Sequence, residues 1–439
     1  MTGALAGLLR PWQRPRDVPP LPPPARLFVL ANALSACGAG LAMPYFAGYL
    51  VGFDGAAATA AGVLATIAVV DIVAQWALAR RVERRRGSRA SAIAGCWVQA
   101  VAWALIAGAG AYWQVLAAAV LLGLGNALFF SVRINLQLQI VPDRAHEYSF
   151  ALRYLLGNLG MTLGGLLGGT LVAWFGTGAS RGLMAANSAT FVAFALVLAM
   201  AVPADAPDPA RRTDPKPPAP GAGRPVRFDL ALPGLVLAYF CLVTTGLAQF
   251  ETVLPLQWTT RDGLAPSMAG YLFSALTLCT SVVQLPVSRL ATRLGGVNSI
   301  RTLCAAWAVG AVVLAAARYD LALAWRAGIL LLGVVALAVG ECMFSPSIPG
   351  LLRTADEGLR RRAGSALAMA HSIGMFVGPS LGVVLVTHAP LGAYGLIILG
   401  AALAATVVRP LDPAARRTPE EPGRRAVAVS GGRGGETDD

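Results

Sequence analysis

Three acidic residues, Asp71, Glu251 and Glu341, stand inside stretches of chain that are otherwise apolar. An ionised side chain at lipid depth costs about 2.5–3.5 kcal/mol on insertion scales, so each marks a substrate or proton pathway unless a structural partner accounts for it. A carboxyl withdrawn from bulk water can exchange a proton near neutral pH, which coupling to a proton gradient requires. Asp71 lies about 14 residues into its segment and Glu341 about 16 into its own; at about 1.5 Å per residue both fall toward the cytoplasmic half. The competing reading for each is a salt bridge or a water-lined wall, and Arg133 is the partner expected for Asp71. Glu251 lies within about two turns of an outer helix end, where it can reach interfacial water or Arg261. His371 is suited to a proton relay, although a lone histidine in a helix is more often simply hydrogen-bonded. The chain shows no nucleophile constellation, no phosphate-cradling glycine loop with lysine and no metal-ligand spacing, so neither an enzyme nor a cofactor is expected.

The elements that must position these residues are membrane helices. Of 439 residues, 56% are hydrophobic and 13% charged, with a mean hydropathy of +0.63. Soluble domains carry about 25% charged residues, so this balance excludes an ordinary soluble globule, a disordered chain and a disulfide scaffold. The net charge of +13 does not indicate nucleic acid, because the basic residues form short clusters between apolar runs without interleaved base-stacking aromatics. The six cysteines lie in apolar segments and form no C-x-x-C pair. Runs long enough to cross about 30 Å of hydrocarbon occupy 26–52, 56–79, 90–110, 113–134, 149–174, 183–202, 231–257, 267–287, 300–317, 325–350, 363–387 and 390–408. Their high Gly and Ala content, without strict alternation, predicts twelve packed helices rather than a barrel.

Charge fixes their direction. All of the 35 Lys and Arg residues except Arg181, Arg261, Arg318 and Arg326 fall in the connections on one side, which predicts that both termini are cytoplasmic. Trp113, Trp174, Trp258 and Trp325 fall at predicted outer ends and are expected as interfacial anchors. The Pro-rich, charged segment 203–230 divides the helices six and six as a cytoplasmic linker between an N-terminal bundle, 26–202, and a C-terminal bundle, 231–408. Residues 1–25 and 409–439 have compositions that cannot bury a core and are expected as disordered cytoplasmic ends.

The halves repeat each other in sequence. Leu78-Ala79-Arg80-Arg81-Val82-Glu83 matches Leu290-Ala291-Thr292-Arg293-Leu294-Gly295, and Gly160, Gly164 and Gly168 match Gly374, Gly378 and Gly382. Gly125-Asn126 matches Gly340-Glu341, and Gly40-Leu41-Ala42 matches Gly246-Leu247-Ala248. The glycines recur at three- and four-residue spacing, which places them on one helix face and allows close backbone approach. A parallel six-plus-six repeat encloses a midplane site in one transporter architecture.

On these residues the chain resembles the major facilitator superfamily over residues 26–408. The family's loop pattern G-x-L-A-D-R-x-G-R-R reads here Trp76-Ala77-Leu78-Ala79-Arg80-Arg81-Val82-Glu83-Arg84-Arg85. The Gly-rich helix 5, the Gly-Pro helix 11 and the Gly340-Glu341 pair followed by Pro346 resemble the drug:proton antiporter branch. The chain departs from the pattern at Arg80, where the family has an acid, at Glu83, where it has glycine, and at Gly165, where the antiporter signature has proline. The resemblance implies that helices 1, 4, 7 and 10 line a cavity, which makes Asn32, Tyr45, Asn126, Phe130, Phe250 and Phe344 lining candidates. It also implies a gating role for the loop positions Arg80, Arg81, Arg84, Arg85 and Arg293. An aromatic wall with few charges suits an amphipathic or cationic organic molecule; the alternative is that most of these rings are core or lipid-facing.

The expectation is therefore an all-α membrane protein of twelve transmembrane helices in two pseudo-symmetric six-helix bundles. It would act as a monomeric, proton-coupled exporter of a small organic molecule in an inner (plasma) membrane, its partners being substrate, protons and the lipid bilayer. A metabolite or nutrient carrier of the same fold, or a non-transporting membrane sensor or scaffold, are the alternatives.

Overall fold

The computed structural model of the chain describes residues 19–53, 57–203, 231–319, 322–352 and 357–408. The linker from 204 to 230, the first 18 residues and the tail from 409 lie outside them. In lipid a segment must satisfy its own backbone hydrogen bonds, and the described residues form thirteen α-helices with no strand among them. In chain order these are α1 (Pro23–Val51), α2 (Ala57–Ala74), α3 (Arg80–Gly108), α4 (Tyr112–Ile140), α5 (His146–Phe175), α6 (Ser180–Ala201) and α7 (Ala231–Thr245). They continue as α8 (Val253–Thr260), α9 (Pro266–Leu294), α10 (Gly296–Ala316), α11 (Leu323–Leu352), α12 (Glu357–His388) and α13 (Gly392–Val408). Helix α1 starts three residues before the predicted border, because the fixed φ of Pro23 suits a first helical turn.

Nine described stretches are apolar and long enough to cross a membrane. One of them, Tyr148–Ala201, covers nearly all of α5 and the whole of α6, and the shorter apolar helices Ala58–Ala74 and Gly392–Val408 complete the twelve crossings. The seventh predicted helix, 231–257, is two helices, α7 and α8, with a break between them.

Packing follows the sequence repeat. Helix α1 lies against α5 and α6, as α7 lies against α12 and α13; α3 packs on α4 and α6, as α10 packs on α11 and α13; α2 meets α4, as α9 meets α11. The contacts between the halves, α5 with α9 and α2 with α12, exchange under the same operation. The glycine stripes explain why the seams are so close. A Cβ on Gly164 would run into the carbonyl of Cys37 and lie 2.9 Å from the nitrogen of Leu41 in α1. In the other half a Cβ on Gly378 would lie 2.5 Å from the carbonyl of Thr244 and 2.6 Å from the Ala248 methyl. Gly160 and Gly168 on α5 also pack against α1, and Gly374 and Gly382 on α12 against the α7–α8 segment, Gly168 the least tightly of the four. Without a hydrophobic drive inside lipid, dispersion across such contacts holds the helices together.

The second glycine of the loop motif is not lost but displaced. Gly295 turns the α9–α10 connection with φ 78° and ψ 167°, and its counterpart is Gly87, at φ 85° and ψ 166° near the start of α3. Position 83 lies in helical backbone. Only glycine adopts such dihedrals cheaply.

Both sets of residues singled out by position at the Arg-poor end have structural explanations. Trp113, Trp174 and Trp325 are 68–75% exposed, as anchors should be, but Trp258 is completely buried because α8 turns it into the C-terminal half. The four arginines that break the charge bias serve helix ends: Arg181 donates to Ala109, Arg261 to Val386 and Thr387, Arg318 to Pro390, and Arg326 to Ala317, all through main-chain carbonyls. These carbonyls lie at or near helix C-termini, where unsatisfied acceptors and the helix dipole favour cations.

Gly164→Leu and Gly378→Leu are each expected to destabilise the protein by about 1–3 kcal/mol through overpacking, seen as a melting temperature lowered by several degrees in detergent. Gly182→Leu, a position with open space around it, should melt like the parent; equal effects at all three sites would contradict the seam assignment.

Candidate functional site

The two halves are zipped together along one part of the α5–α9 seam. Thr162 and Thr277 share a hydroxyl–hydroxyl hydrogen bond of 2.9 Å, and the Ser274 hydroxyl donates to the Thr162 carbonyl at 2.9 Å. Thr170 reaches the Tyr271 hydroxyl at 3.4 Å. A second glycine stripe makes this possible: a Cβ on Gly165 would strike the Ser274 hydroxyl, and one on Gly169 would lie 2.8 Å from the Tyr271 ring. Gly165, where the family signature has proline, is thus an interface residue of the closed seam. Tyr45 is buried against Gly270 and plugs the same seam rather than lining an open space. All these contacts lie toward the Arg-poor end. From Asn158 and Ser281 toward the other end no hydrogen bond joins α5 to α9 among the described side chains, and Phe130 and Tyr154 are 45% and 42% exposed.

Glu341 sits just beyond this seal. It accepts a 3.2 Å hydrogen bond from Thr280 of α9, and the adjacent Cys342 thiol donates to the Thr280 carbonyl at 3.4 Å. Tyr154 of α5, in the other half, and Glu251 are both within electrostatic range of Glu341. No ion pair holds Glu341 among the described residues.

Glu251 lies in the break of the seventh crossing, in the link between a short 3-10 turn, Leu247–Gln249, and α8. The cause is local. Gly246 leaves the helical region, at φ −114° and ψ −83°. Pro255 has no N–H to bond the carbonyl four residues earlier, at Glu251. Gln249 staples the break, its amide donating to Thr244 at 2.6 Å and to Gly378 of α12 at 2.9 Å. The expected Glu251–Arg261 contact is absent, because Arg261 is committed to the end of α12.

The remaining candidates separate. Asp71 is buried at 4% exposure and accepts a 3.0 Å hydrogen bond from Gln75 on its own helix; Gly123 of α4 packs against its backbone. Since Arg133 is ten residues beyond Gly123, about 15 Å further along α4, no hydrogen bond or ion pair joins it to Asp71, and the predicted pair does not form. Instead the Arg133 guanidinium lies 4.8 Å over the Phe130 ring. His371 accepts or donates a 3.2 Å hydrogen bond with the Tyr239 hydroxyl, and Tyr239 stacks on Phe344, which stacks in turn on Trp307. Phe344 is therefore largely buried in this aromatic stack, and Phe250 is core, edge-on to Trp307 at 5.4 Å. Asn32, beside Gly157, and Asn126 are partly exposed. Arg293 is exposed near the end of α9, while the side chains of Arg80, Arg81, Arg84 and Arg85 lie outside the described ones. Sequence reasoning did not single out Arg153 or Tyr154, because their places beside the seam depend on helices distant in the chain.

Two repeated sets of six crossings, meeting along the hydrogen-bonded α5–α9 seam, have the architecture of a membrane transporter. The chain matches the Major Facilitator Superfamily profile over residues 28–334 and 243–432, and it belongs to that family. No curated protein matches it. Among solved structures it is similar to a bacterial homologue of the iron transporter ferroportin in its inward-facing state, with a TM-score of 0.68 and 16% identity over 88% of this chain and 98% of the other. It is also similar to the nucleoside transporter NupG, at 0.66 and 13% over 88% and 98%, and to an auto-inhibited POT family peptide transporter, at 0.64 and 16% over 92% and 99%. At such identities the likeness concerns the fold.

Cysteines introduced as Thr162→Cys and Thr277→Cys should cross-link α5 to α9 on mild oxidation, detected by intact mass, because the parent hydroxyls are 2.9 Å apart. A pair at Asn158→Cys and Ser281→Cys should cross-link far less; the reverse order would show that the seal is at the other end.

Proposed function

We propose that this transporter is a proton-coupled secondary carrier that moves a small organic molecule by alternating access, working as an exporter in an inner (plasma) membrane with its Arg-rich side and both termini in the cytoplasm. One observation carries the reading: Glu341, with no ion pair among the described residues, lies at the edge of the closed seam, bonded to α9 of its own half and within range of Tyr154 in the other. A group so placed can tie its protonation state to whether the seam is zipped, since its electrostatic surroundings change when α5 and α9 part. Glu251, in the broken seventh crossing, supports the same reading, because discontinuous helices and unwound backbone recur at transporter ion and substrate sites. Closure at the Arg-poor end corresponds to an inward-facing state under the positive-inside rule. Asp71 takes a secondary place, as a buried carboxyl bonded within its own helix.

Inverted vesicles energised with a proton gradient and offered ethidium or carboxyfluorescein are expected to accumulate at least one dye. A protonophore should abolish accumulation, and Glu341→Gln should reduce it at least tenfold, while dye exchange without a gradient persists. Accumulation that survives the protonophore, or that is unchanged in the Asp71→Asn, Glu341→Gln double variant, would sink the coupling assignment.

A further inference from the structure

Two arginines stand together in the N-terminal half with no counter-charge paired to them among the described residues. The Gln137 amide of α4 donates to the Ser149 hydroxyl of α5 at 2.7 Å, which sets the level of these two antiparallel helices. One turn back along α4 from that bond is Arg133, and one turn on along α5 is Arg153, so the two stand at one height; their charges interact. The Nε atoms of both are screened from solvent and have no hydrogen-bond partner. Among the described residues no hydrogen bond or ion pair reaches either guanidinium, and both lie against ring faces, Arg133 over Phe130 at 4.8 Å and Arg153 over Phe150 at 5.7 Å. Like charges in such surroundings repel and are costly to desolvate unless an anion joins them.

Their place says which anion. Asn126, Phe130, Arg133 and Gln137 follow one another at helical spacing on one face of α4, and Phe130 on that face is 45% exposed. Arg153 adjoins Tyr154, which is 42% exposed and senses Glu341 across the halves. The pair thus stands beside the α5–α9 seam, on the side away from its hydrogen-bonded part. Asn158, one turn beyond Tyr154, pairs with the Tyr154 hydroxyl through its side chain.

We infer that Arg133 and Arg153 together form an anion-binding subsite of the pathway, and that the transported molecule carries a carboxylate or phosphate group with an aromatic or other apolar body lying against Phe130. Guanidinium forks match the geometry of both anions, and two of them close on one group give bidentate capture that a lysine cannot. This replaces the cationic substrate suggested by the aromatic residues alone, since two unpaired arginines repel a cation. The inference rests on the transport reading for the word substrate, but its test needs no gradient.

The full chain in phosphatidylcholine nanodiscs, titrated with inorganic phosphate and with benzoate, should show a saturable rise in melting temperature with at least one of them. Arg133→Gln and Arg153→Gln should each weaken the apparent affinity at least tenfold, and Gly182→Leu, at a position with open space around it, should leave it within twofold. Should a Gln variant fail to fold, Arg133→Lys and Arg153→Lys keep the charge and should still weaken binding about threefold or more. Absence of saturable binding, or binding indifferent to all four arginine variants, overturns the subsite. Arginine-dependent stabilisation by phosphatidylglycerol discs that neither phosphate nor benzoate reproduces in neutral lipid overturns the substrate assignment in favour of a lipid headgroup. Loss of proton-driven accumulation in Glu341→Gln with anion binding intact separates the two proposals.

Discussion

The closeness of backbone to backbone at two symmetric seams, α1 with α5 and α7 with α12, governs the rest of the molecule. Lipid offers no hydrophobic drive between helices, so contact must come from shape, and glycine is the residue that lets main chains touch. Gly160, Gly164 and Gly168 on one side, and Gly374, Gly378 and Gly382 on the other, bring these helices into close contact within each half. With those seams fixed, movement is left to the seam between halves, where α5 presents a different stripe, Gly165 and Gly169, to α9. One helix thereby carries two glycine faces with distinct duties: one holds its own bundle together, the other makes a contact that hydroxyl pairs can form and release.

This division places the ionisable groups. Glu341 and the broken seventh crossing belong to the C-terminal half, the arginine pair to the N-terminal half, and the sealed part of the α5–α9 seam ends at about their level. Under the two proposals, a proton on one wall and a substrate charge on the other would both bear on a single event, the parting of α5 from α9. The Tyr239–Phe344–Trp307 stack and His371 sit behind the C-terminal wall as support, holding α7, α10, α11 and α12 in register.

Much of the fold was legible from the residues. Apolar run length gave the crossings, arginine placement their alternation, and glycine spacing the seams, because each reports a constraint that lipid imposes on the chain locally. What was not legible depends on partners distant in sequence. Arg133 looked like a mate for Asp71 only while their heights were unknown. Phe250 and Trp258 looked exposed because a continuous seventh helix was assumed; the signal for its break was present in Gly246 and Pro255. The arginine pair escaped notice because a residue's lack of partners cannot be read from a string.

The displaced glycine has a consequence for how the two halves could diverge. Between Gly87 and the position its counterpart predicts there are four residues, which add about 400° of helical rotation and about 6 Å of length. The net twist is only about 40°, so an insertion of this size lengthens a connection without turning the following faces away from their neighbours. Duplicated membrane proteins can therefore absorb whole-turn insertions at their ends silently, whereas a two-residue insertion at the same place would rotate every face of α3 to the wrong side.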